Sequence, residues 1–156
     1  METYATVEGH RIFYVQDGER GLPIVLVHGV PTGSYQWSPV QRLLARYLNT
    51  YNIDLIGMGK SDKPLAGWEY TWANDAKIIA GLMDQWGYEK MIVAGDDWGG
   101  GIALTFAALY PQRTDLCVTI DPVAYESGRW RRSRRSAGCT SSPATRNCGE
   151  RSPIFL

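Results

Sequence analysis

Residues 91–101, Met91-Ile92-Val93-Ala94-Gly95-Asp96-Asp97-Trp98-Gly99-Gly100-Gly101, bring an apolar strand, a sharp turn and a helix together around a reactive side chain. The run from Met91 to Ala94 reads as a short buried strand, and residues 102–109 continue as an apolar helix stopped by Pro111. Between them, Gly95 to Gly99 fits a Gly-x-nucleophile-x-Gly elbow with Asp97 in the nucleophile slot. Glycine is needed on both sides because the turn strains the backbone and brings strand and helix closer than a Cβ allows. As an isolated pattern, Gly-x-Asp-x-Gly is a common turn composition, so its weight depends on what accompanies it.

Two other stretches accompany it. Residues 24–31 are an apolar run entering the turn His28-Gly29-Val30-Pro31, and residues 54–62 form a loop with glycines at 57 and 59. In this order the three motifs resemble the α/β-hydrolase superfamily. An aspartate in the nucleophile slot followed by Trp98 is similar to its haloalkane dehalogenase and epoxide hydrolase branch. The resemblance covers residues 4 to about 125. It implies an α/β fold, a mostly parallel sheet with helices on both faces, of which this chain carries the N-terminal part and stops before the cap and last strands.

The resemblance also implies roles. Asp97 would attack an electrophilic carbon and form an alkyl-enzyme ester, which a histidine-activated water then hydrolyses. The ester oxyanion would sit between the backbone N–H groups of Val30 and Trp98, and the Trp98 indole could also serve a leaving group. Val30 stands where haloalkane dehalogenases often carry Asn. Its side chain has no donor for a halide, which shifts weight toward an epoxide hydrolase. Asp121 admits two readings, a structural cap after a strand or the acid that orients the catalytic histidine. Asp96 adds a second carboxylate beside Asp97, with its effect left open. Neither histidine suits the base: His10 belongs to a remote hairpin turn, and His28 reads as a structural residue holding the turn that presents Val30. The expected function is therefore a haloalkane dehalogenase-like hydrolase with an aspartate nucleophile, inactive as this chain stands. The alternatives are an epoxide hydrolase, a non-catalytic truncated product, or a basic-tail interaction protein.

The rest of the chain fits the frame. Residues 4–7 and 11–15 read as an opening hairpin, and the unalternating apolar run 24–27 as a parallel strand covered on both faces. Ser38-Pro39 reads as a helix start, with Val40, Leu43, Leu44 and Tyr47 facing the sheet. Residues 48–53 read as a strand interrupted by polar residues, and residues 71–86 as an amphipathic helix whose stripe Ile78, Ile79, Leu82, Met83 and Trp86 is core. Gly59-Lys60-Ser61 is not a phosphate loop, which would need glycine where Asp54 stands. Residues 116–120 read as a further strand.

Composition sets the outer limits. The 156 residues are 44% hydrophobic with zero formal charge, but residues 1–126 hold nine of the basic and fifteen of the acidic side chains, whereas residues 127–156 hold seven arginines and one glutamate. The periodic pattern stops at about Ser127. The domains are thus expected to be a partial hydrolase core at 1–126 and an Arg/Ser-rich tail at 127–156, disordered or derived from a frameshift. A tail that binds nucleic acid is the competing reading; no nucleic-acid partner is expected, because arginine without lysine is unusual for a basic arm. No apolar stretch suggests secretion or a membrane span, and Cys117, Cys139 and Cys148 show neither metal nor disulfide spacing, which suits the cytoplasm. The expected partner is a small-molecule haloalkane or epoxide, with no cofactor and no metal. The sequence carries no signal for oligomeric state.

Overall fold

The computed structural model describes residues 1–123. The expected boundary at 126 and the tail at 127–156, with Cys139 and Cys148, lie outside the described residues. Six strands, β1 (Glu2–Val7), β2 (His10–Asp17), β3 (Pro23–Val27), β4 (Asn49–Ile53), β5 (Met91–Asp96) and β6 (Thr114–Ile120), form one sheet in the order β1-β2-β4-β3-β5-β6. The β1–β2 and β2–β4 pairs are antiparallel, and β4, β3, β5 and β6 run parallel. Three helices complete the described fold: α1 (Ser38–Leu44), α2 (Trp72–Trp86) and α3 (Trp98–Leu109).

The apolar run at β3 is buried along its whole length because both faces of the sheet are covered. Val25 and Val27 join a core with Ile79, Leu82 and Met83 of α2 and Ile102 and Phe106 of α3. Ile24 and Leu26 face the opposite way, against Trp37, Ile92, Ala94 and the partly buried Leu44 of α1. Helix α2 follows its sequence signals: the Thr71 hydroxyl accepts the Asn74 N–H at 3.2 Å at the start, and Gly87 ends the helix at φ 77°.

Three expectations are corrected. His10 opens β2 instead of sitting in the turn, which is made by Glu8 and Gly9, and its ring packs edge-on to Trp68. Ser38 is the first helical residue of α1, with Trp37 at the cap position and no side-chain cap bond. Of the four residues expected to face the sheet, Leu44 packs inward, but Val40, Leu43 and, just past α1, Tyr47 are 41%, 59% and 75% exposed, and Gln41 points inward instead. The reason lies in β4. Its polar residues Thr50 and Asn52 are fully buried on this face of the sheet and need partners. The Gln41 amide donates to Thr50 Oγ1 at 3.1 Å and to Val15 O at 2.8 Å, and accepts from Asn52 Nδ2 at 3.1 Å. An apolar residue at 41 would leave Thr50 Oγ1, Val15 O and Asn52 Nδ2 each one partner short, although Thr50 still donates to Asp17 O and Asn52 to Ser34 O.

Candidate active site

Register places the site. Val27 is level with Ile53 of β4 and Gly95 of β5, so the segments leaving β3, β4 and β5 emerge at one edge, the carboxyl ends of the parallel strands. The chain turns from β5 into α3 through Asp97 alone, which adopts φ 51° and ψ −115°. A non-glycine residue holds such a conformation only when its surroundings fix it. Here the Asp97 N–H donates to Ile120 O at 3.1 Å, and its carbonyl accepts from Gly101 N at 3.2 Å and Val123 N at 2.9 Å. A Cβ added to Gly95 would overlap the Gly99 carbonyl, and one added to Gly99 would overlap Val27 O. The flanking glycines are thus demanded by close backbone approach, as the elbow pattern predicts.

The turn after β3 meets Asp97 from the other side. The Val30 N–H donates to Asp97 Oδ2 at 3.1 Å. Trp98 opens α3, where N–H groups have no carbonyl a turn earlier to bind, and its ring packs edge-on to Trp72 at 5.3 Å. Val30, Trp98 and Asp97 are therefore brought together, while Asp121 is exposed with φ 43° at the end of β6.

His28 is fully buried beneath this turn. Its Nε2 lies 3.0 Å from the Leu55 N–H and accepts from it, which leaves the proton on Nδ1 to donate to Gly29 O at 2.8 Å. Burial lowers its pKa, outweighing the opposing pull of the Gly29 carbonyl and Asp54. It is a neutral strut joining the turn after β3 to the loop after β4. Asp54, also buried, braces that loop: its carboxylate accepts the Ser34 N–H at 2.6 Å and the Lys60 N–H at 2.7 Å. Glycine-rich though it is, the 57–61 loop turns its backbone onto a carboxylate, which is not how a phosphate cradle is used.

Two participants were not singled out in the sequence. Gln36 donates to Asp96 Oδ2 through its amide nitrogen, and its Oε1 accepts the Gly29 N–H at 3.2 Å and the Thr32 hydroxyl at 2.5 Å. Asp96 is thereby tied to the β3 turn. No local pattern marks Gln36; its role arises from a contact across 60 positions. Asp75 on α2 is buried and borders a pocket of about 240 Å³ with Val30, Leu55, Ile56, Met58, Tyr70 and Trp98. Its signal was available, since position 75 falls on the same helical stripe as Ile78, Ile79 and Leu82, where an acid is out of place.

A mostly parallel sheet whose β5 enters α3 through a strained elbow, facing a backbone N–H from the turn after β3, is the architecture of an α/β hydrolase. The chain belongs to the alpha/beta hydrolase fold family, whose model matches residues 23–137. It is 40% identical over 104 residues to the soluble epoxide hydrolase of Corynebacterium sp. (strain C12), covering 66% of this chain and 35% of that protein. It is 37% identical over 114 residues to epoxide hydrolase 4 of Mus musculus, covering 72% and 32%. Among solved structures it is similar to the haloalkane dehalogenase DatA from Agrobacterium tumefaciens C58, with a TM-score of 0.70, 30% identity, and coverage of 78% of this chain and 41% of that one. The chain thus spans about a third of the length of the curated relatives it matches. Among the described residues, no helix is long and apolar enough to cross a membrane.

Proposed function

We propose that this chain carries the nucleophilic part of a hydrolase site that opens small epoxides, with Asp97 as the attacking carboxylate. The observation that supports this most is the Asp97 carboxylate itself, presented at the elbow with Oδ2 3.1 Å from the Val30 N–H. The oxygen engaged by Val30 becomes the carbonyl oxygen of the ester, and the other oxygen attacks. When water adds to that ester, negative charge develops on the oxygen already facing Val30, with the Trp98 N–H as the second donor. The pocket beside Trp98 is lined mainly by apolar side chains, as a small organic substrate requires. Val30 offers no side-chain donor, which favours an epoxide over a halide.

A second reading, haloalkane dehalogenation, is favoured by the Trp98 indole on the pocket wall, because an indole N–H can donate to a departing halide. Both readings share the first step. Neither His10, at the start of β2, nor His28, with both nitrogens engaged by backbone, is placed to activate water for the second. The alkyl-enzyme ester should therefore accumulate on the 156-residue chain. Incubation with styrene oxide should raise the intact mass by one whole epoxide, and Asp97→Ala should remove that gain. Equal labelling of the variant would refute the assignment of Asp97.

A further inference from the structure

Among the described residues, Asp75 is the one acid or base on the wall of the pocket that Val30 and Trp98 border. It is 5% exposed, and the other buried residues of α2 are all apolar. Burial pushes its carboxyl up to about 7, and among the described residues no hydrogen bond or neighbouring charge holds the anion. The surrounding elements explain that isolation. Helix α3, packed on α2, contains no ionisable side chain. Strand β1 also packs on α2, but its Glu2 is paired with Lys60 at 2.8 Å and its Tyr4 lies edge-on to Phe13. Lys77, on α2 itself, pairs with Glu8 at 3.0 Å. Tyr70, the other titratable residue of the lining, donates its hydroxyl to Pro64 O at 2.9 Å. Asp97 reaches the pocket through two of its lining residues, Trp98, which follows it in the chain, and Val30, whose N–H donates to its Oδ2.

An acid in the first turn of a helix has an ordinary structural role, in which its anion faces the free N–H groups. That role lowers a carboxyl pKa and is best served in water. Asp75 shows the reverse, an acid kept neutral in an apolar cavity, which is the condition under which a carboxyl can donate a proton.

We propose that protonated Asp75 is the acid for an oxygen leaving group, which commits the pocket to epoxides. This rests on Asp97 being the nucleophile. As an Asp97 oxygen forms its bond to the less hindered or better activated epoxide carbon, that carbon's bond to oxygen breaks. The electron pair goes to the oxygen, which takes the Asp75 proton. The products are a hydroxyalkyl ester on Asp97 and an Asp75 carboxylate, which regains its proton from water. A halide leaves as an anion and needs no proton, so the same residue gives haloalkanes no help.

The test follows the rate of single covalent addition to the full chain by intact mass, from pH 5.5 to 8.5, with styrene oxide and, separately, 1-bromobutane. Styrene oxide addition should fall by roughly tenfold or more between pH 6 and pH 8.5, as the acid form is lost. Addition of 1-bromobutane should stay flat. In Asp75→Asn the styrene oxide rate should drop at pH 6 to the low, pH-independent level, while the 1-bromobutane rate stays within about twofold. That second rate also reports that the variant is folded. A styrene oxide profile that is flat in the parent chain, or unchanged in Asp75→Asn, would overturn the role of Asp75 and leave Asp97 standing. Failure of both reagents to label Asp97 would overturn both.

Discussion

Gly95 and Gly99 leave no room for a side chain. A methyl group at either would overlap a backbone oxygen, at the junction of β5 with α3 or of α3 with β3. Alanine at either position should destabilise the fold by about 3 kcal/mol or more, measured as the loss in urea midpoint, and a cost below ~1 kcal/mol would mean the elbow relaxes freely. Two of the buried ionisable residues, His28 and Asp75, pull stability in opposite directions. His28 has a folded pKa below its ordinary 6.5, so its contribution is full above that value and declines as pH falls through it. Asp75 is raised from 3.8 to about 7, so its contribution is full below pH 3.8 and is lost as pH rises to about 7. Asp75→Asn should therefore stabilise the chain at pH 8, by up to about 4 kcal/mol, and this gain should vanish toward pH 4. Denaturation at the two pH values checks this, and an equal effect at both would show that Asp75 titrates normally. Asp97, Val30 and Trp98 were legible in the sequence because local motifs define them; Gln36 was not, because its partners come from distant strands and turns. Asp75 was legible in principle, as an acid on an apolar stripe.

Among the elements, short apolar runs identified β3 and β5 and the helical period identified α2, and their residues bury as those patterns require. The helical period misplaced the face of α1. Seven residues give barely two turns, too few for spacing to outweigh the demand of Thr50 and Asn52 for a polar partner. The same pairing explains how β4 tolerates the polar residues that interrupt it. Leu43→Lys and Tyr47→Lys should each change stability by less than about 0.5 kcal/mol, as exposed positions do. Gln41→Leu, nearly the same size and more apolar, should cost about 1–3 kcal/mol by leaving Asn52, Thr50 and Val15 O short of a partner. Thermal denaturation of the three variants decides it; a large loss at Leu43 would restore the inward-facing reading.

For the whole molecule, the order of three short motifs identified the family before any packing was known, because each sits at the carboxyl end of a parallel strand where register forces them together. What motif order could not convey was the pocket, whose walls come from the loop after β4, the start of α2 and the start of α3. The division of the chain at residue 126 remains our proposal, and the nucleotide sequence around that codon tests it: a one-base shift that restores hydrolase sequence supports it, and a clean frame opposes it. The central claim is that Asp97, among three neighbouring acids, is the nucleophile. Asp96 is held by Gln36 and burial raises the pKa of Asp75, so of these three acids Asp97 is the one with a carboxylate oxygen held by a backbone donor at the elbow. The most direct measurement is tandem mass spectrometry of the styrene oxide-treated chain, resolving the peptides that carry residues 75, 96 and 97. The account predicts a single hydroxyalkyl ester on Asp97; an ester on Asp96 or Asp75, or an unmodified Asp97 in folded protein, would contradict it.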